Sequence, residues 1–178
     1  MKKTFAALAL SLFSTAALAN TGDINFVGSI TPGGTCPITI VEPGNGGVEL
    51  SRIVVGSHHP EYFTTPGTKS RLVPFALRVD PGTCTIKSGE SGYVTFKPIY
   101  GQQGTNLYGL APAGAGGLGL AIQDKSFTNL APDAESAAYA LDDTKPTEMI
   151  FYAAYESSAV PVTPGDAYTR VVYEVEIR

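Results

Sequence analysis

Few side chains in this sequence have the type and spacing that could do chemistry. Histidine occurs only as the adjacent pair His58–His59, with Glu61 close by. Imidazole and carboxylate are zinc donors, but neighbouring side chains in a loop do not converge well on one ion. A solvated loop is the better reading. Asp142–Asp143 sits in a polar Asp-Asp-Thr-Lys turn, and Asp124 precedes Lys125 at what reads as a strand end. The run Gly114-Ala115-Gly116-Gly117 is not followed by the Lys-Ser/Thr of a phosphate loop. Its glycines suit tight packing against a neighbour. No Ser/His/Asp arrangement and no paired catalytic carboxylates can be argued. The expectation is a protein that is not an enzyme and holds no cofactor or metal.

The two cysteines, Cys36 and Cys84, take their chemistry from the compartment. Lys2 and Lys3 open the chain, Thr4 to Ala19 is apolar or small without charge, and Ala17-Leu18-Ala19 has the small–x–small spacing of a cleavage site. The apolar core is shorter than the roughly 20 residues that span a bilayer. Residues 1–19 are therefore expected to be a signal peptide, and the chain to be exported. Outside the cytoplasm a cysteine pair reads as a disulfide. No histidine or third cysteine lies at ligand spacing to either, so a structural bridge is preferred over a metal pair or a catalytic thiol. The formal charge is −4, and loss of Lys2 and Lys3 makes it more acidic. Such a surface, with no basic run, argues against nucleic acid or anionic lipid as a partner.

The elements that position these residues are short apolar or alternating runs separated by Gly, Pro, Asn and Ser. This is the pattern of a β-sandwich or barrel in one domain. Strands are expected at Ile38–Val41, Val48–Leu50, Ile53–Val55, Leu72–Val79, Tyr93–Phe96, Leu118–Ile122, Met149–Tyr155 and Val171–Ile177. Ala134–Leu141 allows either a helical turn or a short strand.

The two ends stand apart. Val171, Tyr173, Val175 and Ile177 share one face of the last strand, with Arg170, Val172, Glu174 and Glu176 on the other. A half-buried strand that closes the chain can leave a sandwich edge without the strand that would cover it. Near the start, Ile24, Phe26, Gly28 and Ile30 form one face of another alternating run. The break Thr31-Pro32-Gly33-Gly34-Thr35 separates that run from Cys36. Pattern alone leaves two readings equal: an ordinary first strand, or a strand donated to a neighbour. A donated strand would use strand addition as its mode of recognition.

With these residues in view, the sequence resembles subunits of chaperone–usher fimbriae (pili), of the type 1 major-subunit-like kind. The features that carry the likeness are Ile24-x-Phe26-x-Gly28-x-Ile30 before Cys36, Val48-Glu49-Leu50, Pro74-Phe75-Ala76-Leu77 leading to Cys84, and Gly117 to Asp124. Its most specific part is Phe151 to Tyr155, then Val162-Thr163-Pro164-Gly165, then the alternating end. Gly165 is fourteenth from the C-terminus, where the family's glycine usually sits. One departure is Ile177, where the family usually carries an aromatic, though the face stays apolar.

The resemblance implies an all-β, incomplete immunoglobulin-like sandwich that lacks its last strand and is completed by a donated one, with a Cys36–Cys84 bridge. It implies a donor-strand extension and hinge over residues 20–35 and the pilin domain over 36–178. Ile24, Phe26, Gly28 and Ile30 would form the donor strand. Phe151, Ala153 and Tyr155, with Gly165 and Val171, Tyr173, Val175 and Ile177, would lie on the strands flanking the open groove. Implied partners are copies of itself or related pilins, a periplasmic chaperone and an outer-membrane usher, on the way to a cell-surface fimbria that supports adhesion. The alternative is a monomeric secreted sandwich that binds a glycan or a host protein.

Overall fold

The computed structural model describes residues 23–28 and 36–178. The expected signal peptide, Ile30 and the Thr31–Thr35 hinge lie outside the described residues. The strands are β1 (Asp23–Gly28), β2 (Ile38–Val41), β3 (Ile53–Val54), β4 (Val73–Val79), β5 (Ser91–Pro98), β6 (Gln102–Gln103), β7 (Leu107–Tyr108), β8 (Leu118–Gln123), β9 (Tyr139–Ala140), β10 (Thr147–Ser157) and β11 (Thr169–Ile177). The only helical element among the described residues is one 3₁₀ turn, Pro60–Tyr62.

Alternation dictates how these strands stack. In β5, Gly92, Val94 and Phe96 are buried while Tyr93, Thr95 and Lys97 are half-buried. In β11, Thr169, Val171 and Tyr173 are buried and Glu174 is exposed. Side chains two apart share a face, so each of these strands has one apolar side. Burying that side requires a second layer. One sheet has the order β3-β1-β11-β5-β9 and the other β2-β4-β10-β8-β7-β6. The two inner faces meet in one core that runs from Ile53 and Val55 through Phe75, Phe96 and Phe151 to Tyr173. The all-β sandwich expected from the sequence is the fold observed.

At the centre of the second sheet, β10 pairs antiparallel with β4 on one side and β8 on the other. All six residues of β8 are buried, so this middle of the sheet is covered on both faces. Buried tyrosines complete the core with satisfied hydroxyls. Tyr139 donates to the Ile150 carbonyl at 2.7 Å, and burial pushes its phenol up to about 12. Burial also raises Tyr108, which donates to the Ala131 carbonyl at 3.4 Å.

Two details differ from the sequence expectation. Val48–Leu50 forms no strand: Glu49 makes a single bridge to Val41. The chain turns back through a loop in which Gly44, Gly46 and Gly47 all have positive φ, and the Glu42 and Leu50 amides donate to the Val48 and Ile40 carbonyls on either side of that single bridge. The ambiguous 134–141 segment resolves into the two-residue strand β9, paired with β5.

Candidate assembly groove

The groove is built on β11. One edge pairs with β5 along seven residues, from Val171↔Pro98 to Ile177↔Gly92. Its other edge receives β1, which runs parallel to it with Ile24↔Thr169, Phe26↔Val171 and Gly28↔Tyr173 in register. On its far side β1 pairs with β3 through Asp23↔Val54 and Ile24↔Ile53. Among the described residues β1 is thus the only link between β3 and β11 in the strand order. The side chains that β3 and β11 turn inward here are Ile53, Val171 and Tyr173, all buried.

Several residues fix the wall formed by β11. The Tyr173 hydroxyl crosses the sandwich to donate to the Ile38 carbonyl at 3.1 Å, and burial raises its phenol pKa. The buried Thr169 hydroxyl donates to the Gly109 carbonyl at 2.6 Å. Tyr155, on β10, donates its hydroxyl to the Ala167 carbonyl, just ahead of β11. At that end lies a small cleft of about 30 Å³, lined among others by Gly56, His58, Phe63, Tyr155, Val162 and Gly165. His58 belongs to this wall. Its ring lies 6.2 Å from Phe63 and 6.4 Å from Tyr155, edge-on to both. It is half-buried, not a member of a freely solvated loop, whereas His59 is exposed. Among the described residues no three His, Cys, Asp or Glu side chains are grouped to hold a metal.

The expected site residues separate into two sets. Val171 and Tyr173 border β1 directly, opposite Phe26 and Gly28, and Val175 and Ile177 continue the same strand beyond that register. Phe151, Ala153 and Tyr155 do not flank the gap. They lie in the middle of the opposite sheet, where the alternation that buries them fixes a face but not a sheet. The second flank is β3, whose Ile53-Val54 the sequence reading took as an ordinary strand. The sequence Ile53-Val54-Val55 is apolar throughout and carries no sign of this position; only the structure shows Ile53 and Val55 buried and Val54 half exposed.

Gly165 is not on a flanking strand either, but in the loop before β11. The Ala115 amide donates to the Asp166 carbonyl at 2.9 Å and the Gly116 amide to the Thr163 carbonyl at 3.3 Å. The glycine-rich stretch therefore packs against residues 159–166 of its own chain. A Cβ on Gly165 would come within 2.6 Å of the Ala115 nitrogen and 2.7 Å of the Gly114 carbonyl carbon. Both are backbone atoms that cannot swing aside. Gly165→Val is therefore expected to cost about 1–3 kcal/mol, read as a lowered urea midpoint. A wild-type midpoint would show that the two loops separate freely.

Cys36 and Cys84 form the disulfide, with Cα atoms 4.7 Å apart. Asp124 and Asp142 have the turn roles expected of them. Asp124 Oδ1 accepts from the Ser126 and Thr128 amides at 2.8 and 3.1 Å. Asp142 Oδ1 accepts from the Thr144 hydroxyl and from the Thr144 and Lys145 amides. The Thr144 bonds hold the Asp142 carboxyl below the usual range.

This two-sheet sandwich, with a strand from ahead of the disulfide seated between β3 and β11, has the fold of a pilin. The family model described as "Fimbrial protein" matches residues 24–178, and the chain belongs to that family. It is a structural subunit of a fimbria, a cell-surface pilus. Among solved structures the chain is similar to a Burkholderia pseudomallei antigen and type I fimbria protein, at 19% identity and TM-score 0.55, covering 88% of this chain and 91% of that one. It is also similar to the P pilus rod subunit PapA, at 18% identity and TM-score 0.60, covering 81% and 99%. A subunit of a chaperone-usher pilus, from a structure addressing rod uncoiling, matches at 14% identity and TM-score 0.54, covering 97% and 99%. At these identities the likeness concerns the fold. No curated protein matches the sequence. No helix among the described residues is long and apolar enough to cross a membrane.

Proposed function

We propose that this subunit polymerises by donor-strand exchange, residues 23–30 of one copy filling the gap between β3 and β11 of the next. The observation that carries this is the position of β1. It is the sole link between two strands of a sheet, yet it precedes the disulfide and is joined to the body through Thr31-Pro32-Gly33-Gly34-Thr35. A strand so placed can be supplied by another copy without disturbing the rest of the core. Burial of Ile24, Phe26 and Ile30 in a neighbour would contribute about 1.5–3 kcal/mol each. Backbone pairing adds roughly 0.5–1.5 kcal/mol net per hydrogen bond.

An unfilled gap would expose an apolar edge prone to aggregation. The proposal therefore includes a periplasmic chaperone that covers the edge during export and an outer-membrane usher where subunits are joined. The role is mechanical, with no catalytic step. The test is a denaturing gel of material sheared from producing cells, with and without boiling. A ladder of heat-sensitive multimers that disappears when residues 20–30 are deleted is the expected result. A single monomer band in both lanes, unchanged by the deletion, would replace the fibre reading with a secreted binding module.

A further inference from the structure

In the sheet opposite the groove, four polar side chains meet on the outward face. Lys69 Nζ donates to Asn129 Oδ1 at 3.0 Å and lies 3.5 Å from Glu156 Oε2. Asn129 Nδ2 donates to the same Oε2 at 3.3 Å, and Gln123 Nε2 donates to Asn129 Oδ1 at 2.8 Å. An ammonium only donates and a carboxylate only accepts. The Asn129 amide is therefore held one way round, oxygen toward Lys69 and Gln123, nitrogen toward Glu156. Gln123 is 5% exposed and its own Oε1 has no partner. A buried acceptor left unpaired costs folding free energy, yet the donation to Asn129 is kept.

The backbone presents all four groups. Lys69 and Glu156 are bridge partners. On either side of them the Ser70 amide donates to the Tyr155 carbonyl at 2.8 Å and the Ser157 amide to the Thr68 carbonyl at 3.0 Å. Gln123 and Asn129 are bridge partners as well, flanked by the Leu130 amide on the Ile122 carbonyl at 2.8 Å and the Asp124 amide on the Thr128 carbonyl at 3.1 Å. Between Gln123 and Glu156 the paired residues of β8 and β10 include Ala121 and Ala154, both fully buried. Methyl groups there leave room for the longer side chains to converge.

Together these groups supply a nucleophile, an electrophile, a proton carrier and an oxyanion donor. The Lys69 amine, on giving a proton to Glu156, is a nucleophile for the Asn129 carboxamide carbon, Cγ. Gln123 Nε2 faces the oxygen on which negative charge develops. Glu156 already holds the nitrogen that must leave. The Nζ–Cγ bond forms and the Cγ–Nδ2 bond breaks. Two protons pass from Nζ to Nδ2 through Glu156, so Nδ2 departs as ammonium and Glu156 ends as it began. No oxidant or reductant is consumed. Fixing both reactants on one sheet replaces a slow encounter with an intramolecular step.

We propose that Lys69 and Asn129 become joined by a side-chain amide bond as the exported chain matures, in a single self-catalysed event. The bond closes a loop of sequence separation 60. It ties the segment ahead of β4 to the turn after β8, across β10, and unlike the Cys36–Cys84 bridge it survives reductant. It is independent of the fibre reading above.

The test is the intact mass of the mature chain recovered from producing cells, with its disulfide formed. The expected mass is one ammonia below that of the sequence. Asn45-Gly46 would also lose ammonia by cyclising, so the location of the loss is read from a protease digest. The digest should contain one branched peptide carrying both Lys69 and Asn129. Lys69→Arg keeps the positive charge but has no amine that can deprotonate, and should restore the full mass. Glu156→Gln keeps the shape, removes the proton carrier and should restore it too. These readings do not require a variant to be as stable as the wild type. Full mass in the wild-type chain, or a loss that persists in Lys69→Arg, would overturn the cross-link and leave a hydrogen-bonded network. A branched peptide from Glu156→Gln would overturn the role given to Glu156.

Discussion

Phe151→Ala is expected to lower folding stability by about 3–5 kcal/mol. The residue is fully buried at the middle of β10. Its ring is stacked on Phe75 at 5.7 Å, meets Phe96 edge-on at 5.0 Å, and lies 5.2 Å from Tyr139. These partners come from β4 in the same sheet and from β5 and β9 in the other, so the ring joins the two layers. Alanine would leave a cavity that the rigid strands on both sides cannot close. Domains are stable by only about 5–15 kcal/mol in all, so the variant should unfold at a much lower urea concentration with an unchanged slope. Phe151→Leu refills most of the volume and should recover well over half of the loss. Equal losses for the two variants would mean that aromatic geometry, not volume, holds the layers together.

Phe151 also shows what the sequence could and could not reveal. The alternation of β11 and β5 survives folding because each has one covered and one partly open face. The sequence therefore identifies these strands and the residues that point inward. It does not say which sheet a strand joins. Phe151, Ala153 and Tyr155 look like a groove wall in one dimension, but pairing with β4 and β8 places them in the opposite sheet. A clue was present: Ala154, on the other face of β10, is small and apolar, as suits a strand covered on both sides, and it is fully buried. β6 and β7 were not foreseen, since two-residue strands such as Gln102–Gln103 are too short to show a period. β3 was visible as a strand, but its place beside the gap depends on pairing with β1, a contact local patterning does not encode. Cysteine pairing was legible because the compartment settles it.

Replacing both cysteines, Cys36→Ser with Cys84→Ser, is expected to cost roughly 4 kcal/mol in the chain-entropy description of a closed loop, for a sequence separation of 48. Both positions change together so that no free thiol remains. The effect should not be uniform. Cys36 lies two residues before β2, and Cys84 follows the Asp80 turn that ends β4, where Gly82 donates to Asp80 Oδ1 at 2.9 Å. The bridge therefore closes the open end of the β2–β4 ladder at its Ile38↔Val79 pair. β2 is a four-residue strand whose ladder partner is β4; its far end is also tied by the Val41–Glu49 bridge and the Leu50 amide bond to the Ile40 carbonyl, which lie away from the disulfide. Hydrogen exchange should show protection falling first at Ile38 to Val41, while the amides that pair β10 with β8 keep theirs. The start of β2 also accepts the Tyr173 hydroxyl bond, so loosening it also loosens the contact that β11 makes with the opposite sheet. Uniform loss of protection across both sheets would instead make the bridge a general entropic clamp.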